Sequence, residues 1–374
     1  MNRPRILLLS GGSLVGQNVL ACLEARRDAL RIAATNSIAD DPALFDFDAV
    51  YLMPPGRADP QAHARRFADV LAHFSPDLVI PCRDDDVSFL AGRRARQPAL
   101  ARRLLCGDAG VAAAMLDKLD SARFSAAHGL PFVPTLDARG DVAAARRFAA
   151  DHGWPLIAKP RLGFASQGVR LVLDDRQLEH ACHAPDLVLQ KYLGDAAAVH
   201  GAAHEIGERG LPLFFSFEET KLSLQACISP DGDISAVFAT GNVMRMGRSE
   251  RVRIVDDADV LAAAREWAGV FARAGWRGPV NMQCQRDAGG TLAIYEYNGR
   301  FTGATAARRL LGFDEVGRAL TDWIDAPAAA GGTQPVREVV RHLVGRPCRP
   351  ADTRQLLESG CWERTRPHAA PRSP

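Results

Sequence analysis

Glu296, Asn298 and Arg300 stand at alternate positions in the stretch Ile294-Tyr295-Glu296-Tyr297-Asn298-Gly299-Arg300-Phe301. On a strand, residues two apart share a face, so a carboxylate, a carboxamide and a guanidinium line up. Upstream of the turn residues Asp287-Ala288-Gly289-Gly290, the run Gly278-Pro279-Val280-Asn281-Met282-Gln283-Cys284-Gln285 reads as the antiparallel partner. Gln283 then points into the same space. Hard oxygens gathered there suit Mg²⁺, or Mn²⁺ in its place, bridging the phosphates of a nucleotide. Arg300, one step along, suits a phosphate or a carboxylate. The plain alternative is a solvated polar face. Against it, Tyr297 and Ile294 are expected on the opposite, packed face.

A second constellation lies around a glycine loop. Gly163-Phe164-Ala165-Ser166-Gln167-Gly168 has the glycine spacing of a Walker loop, but Val169-Arg170 follows where Lys and Ser or Thr would stand. Walker-type chemistry is thereby excluded. The loop follows Lys159-Pro160-Arg161 and joins two expected strands, Pro155 to Lys159 and Val169 to Leu173. Small residues let backbone N–H groups lie over phosphates, and Lys159 supplies a point charge. An ordinary hairpin is the alternative. Gly11-Gly12-Ser13-Leu14-Val15-Gly16 opens a helix after a strand, as a dinucleotide loop does. Ser13 replaces the central glycine, however, and the second strand ends at Thr35-Asn36 without a ribose-binding acid, so a structural turn is expected. His180/His183 and His200/His204 have spacings a metal accepts but show no third ligand. The eight cysteines include no Cys-x-x-Cys pair and read as reduced, mostly buried thiols.

These residues need a frame. From Arg5 to Pro81, apolar strands alternate with helical patterns, which implies a parallel sheet covered on both faces. Val111 to His128 and Asp141 to His152 read as helical, and Leu187 to Leu193 as a strand. From about residue 195 to 300 strands predominate, with one helix at Ala258 to Ala274. Within that region Ala198 to His204 reads as a strand, Ile206 to Gly210 as a turn and Leu211 to Phe217 as a return strand. Phe214, Phe215 and Phe217 must then pack on the C-terminal half, a second subunit or a substrate; packing within the chain is the plain reading, and the sharper one sets His200 or His204 near a nucleophile as a proton acceptor. The end of the chain, Pro367 to Pro374, has the composition of a disordered tail.

In order along the chain, these segments resemble the ATP-grasp superfamily, and within it the members like carbamoyl-phosphate synthase and the D-amino-acid ligases. The matching set is Asp117-Lys118, then Pro155-Leu156-Ile157-Ala158-Lys159-Pro160 with its glycine loop. Next come Leu189-Gln190-Lys191-Tyr192-Leu193-Gly194, Gly278 to Gln283, and Glu296-x-Asn298-x-Arg300-Phe301. The resemblance runs from about residue 4 to 325. It implies an α/β chain with the ATP-grasp fold. A Rossmann-like N-terminal domain would occupy 1–110 and a small α+β lid lobe 111–190. An antiparallel α+β C-terminal lobe with the metal site would occupy 191–330, and an extension 331–374.

The same resemblance implies ATP and Mg²⁺ as cofactors and assigns roles. Lys118 and Lys159 would contact the α- and β-phosphates. The loop with Gly163, Ser166, Gln167 and Gly168 would close over the triphosphate. Gln190, Lys191, Tyr192 and Leu193 would form the adenine pocket. Gln283, Glu296 and Asn298 would hold one or two metal ions. Arg300, with Lys159, would stabilise the transferred phosphoryl group, and Asp84-Asp85-Asp86 would face the cleft. The implied activity makes an acyl phosphate from a small carboxylate, which an amine then attacks. Three departures stand out. Gly299 replaces the family's proline, Lys221 occupies the best-aligned position for the ribose acid (with Glu218 and Glu219 nearby), and Asp195 to Phe217 look inserted.

Bulk properties exclude other classes. Lys and Arg number 46 against 44 Asp and Glu, and no basic stripe is clustered, so no nucleic-acid partner is expected. The apolar run Ile6 to Leu9 ends at Ser10-Gly11-Gly12, too short for a signal-peptide core or a membrane span. No membrane is expected, the cytoplasm is the expected location, and a homodimer is left open. Three rivals stay within view. They are phosphorylation of a small carboxylate or carbamate, a nucleotide-binding module without catalysis, and a nicotinamide oxidoreductase built on residues 4–110. The last lacks both the central glycine and the ribose acid.

Overall fold

The computed structural model describes residues 3–163, 167–212, 219–245, 248–287, 289–326, 336–342 and 345–364. Strands β1 (Arg5–Leu9), β2 (Arg31–Asn36), β3 (Ala49–Leu52) and β4 (Leu78–Pro81) pair in parallel in the order β3-β2-β1-β4. Ile6 to Leu9 and Leu78 to Pro81 are buried at every position, as strands covered on both faces must be. The helices Leu14–Cys22 and Asp84–Arg96 begin at the C-terminal edge of this sheet, where open parallel sheets place their ligands.

A small antiparallel sheet follows. It contains β5 (Thr135–Asp137), β6 (Leu156–Pro160), β7 (Arg170–Val172) and β8 (Leu187–Lys191) in the order β5-β8-β6-β7. The helices Val142–His152 and Asp175–His183 cover it through Ala145, Ala149, Leu178 and Cys182. The third sheet has six antiparallel strands: β9 (Glu219–Ile228), β10 (Ile234–Arg245), β11 (Arg248–Ile254), β12 (Gly278–Arg286), β13 (Leu292–Asn298) and β14 (Glu338–Val340). Their order is β13-β12-β9-β10-β11-β14. One face of it buries Leu224, Ala226, Val280, Met282 and Tyr297 against Trp267 and Phe271 of the helix Ala258–Arg273. This apolar cluster continues into the first sheet through Leu7, Leu9 and Val79, so the two sheets share a core. Finally β15 (Cys361–Glu363) pairs antiparallel with β3, so the C-terminal extension returns to both large sheets.

One sequence expectation fails. Ala198 to His204 is not a strand, because Ala196–Arg209 forms a helix. Asp195 caps its first turn by accepting from Ala198 N at 3.0 Å, Gly210 ends it, and five alanines favour it. The alternating Ala and His pattern is therefore a helical one. His200 and His204 are exposed, His200 faces Trp154 O at 3.4 Å, and neither reaches the cavity described below. The proton-acceptor role expected for them is withdrawn. Phe214, Phe215 and Phe217 lie outside the described residues, as does Pro367 to Pro374. All eight cysteines are free thiols, six of them buried. Among the described residues no helix is long and apolar enough to cross a membrane.

Candidate active site

A cavity of about 1020 Å³ is lined by residues of the second and third sheets and of the segments that follow β1 and β4. Lys118, Lys159, Gly163, Gln167, Gln190, Lys191, Tyr192, Leu193, Gln283, Glu296, Asn298 and Arg300 all line it, although they come from distant parts of the chain. Gly168 is not in the wall. Its φ of +73° forms the turn before β7, and a Cβ there would stand 2.9 Å from Pro160 Cγ. Ser166 falls outside the described residues.

At one end the oxygens converge. Gln283 pairs with Glu296 and Asn281 with Asn298 across β12 and β13. Strict alternation would put Ile294 on the face of Glu296, yet Ile294 is buried in the core. The pairing skips from Glu296 to Ile294 opposite Gln283 and Cys284, so Tyr295 is the extra residue of a β-bulge. The bulge brings Tyr295 and Glu296 to the cavity together, and Tyr295 donates to Gln283 Oε1 at 3.0 Å. A chain of amides orients the rest. Asn281 donates to Ser223 Oγ at 2.7 Å, and Asn298 Nδ2 points to Asn281 Oδ1 at 3.5 Å. That turns Asn298 Oδ1 away from Asn281. The trio Gln283, Glu296 and Asn298 contains one carboxylate, and among the described residues no group of three or more His, Cys, Asp or Glu side chains is placed to hold a metal ion. Such a set fits Mg²⁺ shared with phosphates and not a dedicated protein cage. Gly299 follows because a Cβ there would stand 2.7 Å from Met115 Cε and Trp276 Cζ2.

Cationic charge stands beside this end. Lys118 and Lys159 are both only 7% exposed. Asp117 caps the helix Lys118–His128 and pairs with Arg161 at 2.8 Å, while Lys118 N donates to Arg161 O at 3.1 Å. This clamp holds Lys118 against the start of the glycine loop, with Nζ 3.5 Å from Gly163 O. Lys159 Nζ lies 4.9 Å from the centre of the Tyr295 ring, and Lys221 Nζ 5.4 Å from the same ring.

Arg300 faces the first sheet. Its Nε and Nη2 each donate to Asp84 at 2.8 Å, a bidentate pair across 216 residues of chain. Burial alone would lower the Arg300 pKa, but the charge of Asp84 and its hydrogen bonds raise it above the usual value. Behind it, fully buried Arg308 donates to Thr302 Oγ1 at 3.0 Å and pairs with Glu315 at 2.5 Å, fixing the loop that carries Thr302, Gly303 and Ala304 to the cavity.

Three solved structures share this arrangement of sheets. The biotin carboxylase domain of Hydrogenobacter thermophilus 2-oxoglutarate carboxylase, in complex with MgADP, ADP and bicarbonate, matches with a TM-score of 0.61. The match covers 90% of this chain and 73% of that one at 16% identity. An ADP complex of N5-carboxyaminoimidazole ribonucleotide synthetase matches at 0.64, over 88% and 78% of the two chains with 14% identity. The L-amino acid ligase of Bacillus licheniformis matches at 0.63, over 90% and 79% with 15% identity. These are ATP-grasp enzymes. The chain has the ATP-grasp fold. At such identities the likeness is one of fold. No family model and no curated protein matches the sequence.

The ATP-grasp cavity also holds residues that sequence reasoning passed over. Tyr295 was hidden by the bulge. Arg248 opens β11 and Arg341 follows the edge strand β14, and nothing in their local sequence points inward. Lys221 was visible only as a departure from the expected ribose acid. Glu218 lies outside the described residues.

Beneath Asp84, burial pushes the Asp86 carboxyl up to about 6, against hydrogen bonds from Ser10 Oγ and the N–H groups of Cys82 and Arg83. An ordinary carboxyl titrates near 4 in the unfolded chain, so the folded state holds this proton more tightly. The associated stability is complete below about pH 4 and is lost as pH rises through about 6. Relative to wild type, Asp86→Asn should gain roughly 2 kcal/mol between pH 4 and pH 7. Urea unfolding of both proteins at the two pH values checks this, and a difference independent of pH would contradict it.

Proposed function

We propose that the chain is an ADP-forming ligase that activates a small carboxylate as an acyl phosphate and joins it to an amine. The observation that carries this reading is convergence. Two buried lysines, the oxygens of Gln283, Glu296 and Asn298, and the Arg300 guanidinium line one cavity in an ATP-grasp fold. Relatives in fold hold MgADP or ADP. The reading uses the expected division into an N-terminal domain 1–110, a lid lobe 111–190, a C-terminal lobe 191–330 and an extension 331–374, in a protein of the cytoplasm.

A carboxylate is a poor electrophile because it is anionic and resonance-stabilised. Lys118 and Lys159 hold the α- and β-phosphates, Gly163 and Gln167 stand in the cavity wall, and Gln190 to Leu193 receive the adenine. Glu296, Gln283 and Asn298 would hold Mg²⁺, which when bound would supply positive charge against the phosphates. One substrate carboxylate oxygen forms a bond to the γ-phosphorus as the bond to the β–γ bridging oxygen breaks, and ADP leaves. Arg300 stabilises charge on the transferred group, and Asp84 fixes its orientation. The amine nitrogen then attacks the carbonyl carbon, phosphate departs with the activated oxygen, and the amine loses a proton.

An ADP-release screen of amino acids and other small carboxylates, singly and in pairs, with product masses measured, tests this. ADP release that needs both a carboxylate and an amine, with a condensed product, is expected. A stable acyl phosphate formed without any amine would instead support the simple phosphorylation reading. No ADP release with any combination would overturn the proposal.

A further inference from the structure

The cavity is far more basic than the chain. Ten lysines and arginines line it against three acidic residues, while the whole chain carries 46 and 44. Two of those acids are committed, Asp84 to Arg300 and Asp85 to Arg57. The nucleotide and its metal account for the lysines near β6 and β9 and for Glu296. They do not account for a pair of arginines at the opposite end of the six-stranded sheet.

Arg248 opens β11, and Arg341 follows β14, the edge strand beside it. Both line the cavity. Arg341 is anchored at its backbone, N donating to Glu250 O at 2.8 Å, and at its side chain, Nη1 donating to Ser249 O at 3.0 Å. Among the described residues no carboxylate lies within ion-pair distance of either guanidinium. The two stand on paired neighbouring strands, β11 and the end of β14. Burial, and then the neighbouring Arg248, hold the Arg341 guanidinium below its usual pKa. Two like charges held side by side are costly unless an anion sits between them, and arginine's planar fork matches carboxylate and phosphate oxygens. β11 is three strand spacings from β12, which carries Gln283, so the backbones of the two ends stand on the order of 14 Å apart.

We propose that Arg248 and Arg341 form a second anion subsite, which holds a carboxylate or phosphate group of the substrate remote from the carboxylate that is activated. The substrate is then a dicarboxylic or phosphorylated acid and not a simple monoacid. The inference rests on the ligase reading for its use, but it can be tested apart from it. Protein saturated with MgADP is titrated calorimetrically with succinate and, separately, with inorganic phosphate. Wild type is expected to bind at least one of them, and the comparison says which oxyanion the subsite prefers. Arg248→Ala and Arg341→Ala should each weaken that binding at least tenfold, whereas Arg248→Lys, which keeps the charge, should retain most of it. Arg248 is exposed, so its variant remains informative if loss of the Arg341 anchor disturbs β14. Absence of binding to wild type, or unchanged affinity in both alanine variants, overturns the subsite. In the ADP-release screen, diacids should be preferred, with KM raised at least tenfold by Arg341→Ala and kcat within about twofold. Turnover confined to monoacids would also overturn it. Failure of every carboxylate to release ADP would instead count against the ligase reading, and the titration would still decide the subsite.

Discussion

Glu296→Gln should lower ATP-dependent turnover on the order of a thousandfold while the protein stays folded. Glu296 is the only carboxylate of the oxygen trio, so the substitution removes the one full negative charge that the chain offers a divalent cation there. Metal-supplied charge stabilisation is worth several kcal/mol in such transition states. The fold should survive because Glu296 is only half-buried and lies on the polar face of β13, away from Tyr297 and Ile294 in the core. Asn298→Ala should reduce turnover similarly, with some loss of stability, since Asn298 is buried and in line with the amide chain through Asn281 to Ser223. Steady-state ADP release at ordinary Mg²⁺, with circular dichroism as the folding control, makes the measurement. Near wild-type rates in both variants would remove the metal assignment.

Lys159→Ala should weaken ATP binding by about 1.5–3 kcal/mol, the range of a lost charge-assisted contact. That corresponds to roughly ten- to 150-fold in Kd. The expectation comes from its position: a buried ammonium at the end of β6, immediately before the glycine loop, with its Nζ over the Tyr295 ring. Lys191→Ala serves as the contrast. Its side chain lies 3.9 Å from Asp287 in a partly exposed pair, an arrangement worth little, and its expected role is through the backbone. Isothermal titration that gives the same affinity for Lys159→Ala and wild type would refute the role of Lys159.

Much of this architecture was legible because it is periodic. Alternation placed Glu296, Asn298 and Arg300 on one face, continuous apolar runs marked the parallel sheet, and a lysine before a glycine loop between two strands pointed to phosphates. Illegible features depend on events that leave no period. A bulge adds one residue, Tyr295, and inverts the faces beyond it. Ile294 reaches the core for that reason and not through alternation. Ala198 to His204 reads as a strand but is helical, because small residues score weakly in either pattern and the cap at Asp195 decides the outcome. Partnerships across the chain were also invisible. Asp84 with Arg300 joins two regions of the chain that meet only after folding, and Arg341 comes near Arg248 only when β14 pairs with β11.

The central claim is that a carboxylate oxygen becomes bonded to the γ-phosphorus. Isotope transfer tests it most directly. Once the ADP-release screen has found a carboxylate and amine pair that turns over, the carboxylate is supplied with both oxygens as ¹⁸O. The released phosphate and the product are then weighed by mass spectrometry. Activation as an acyl phosphate predicts one ¹⁸O in each phosphate released and one retained in the amide. Phosphate that carries no ¹⁸O while the amide accumulates would contradict the account.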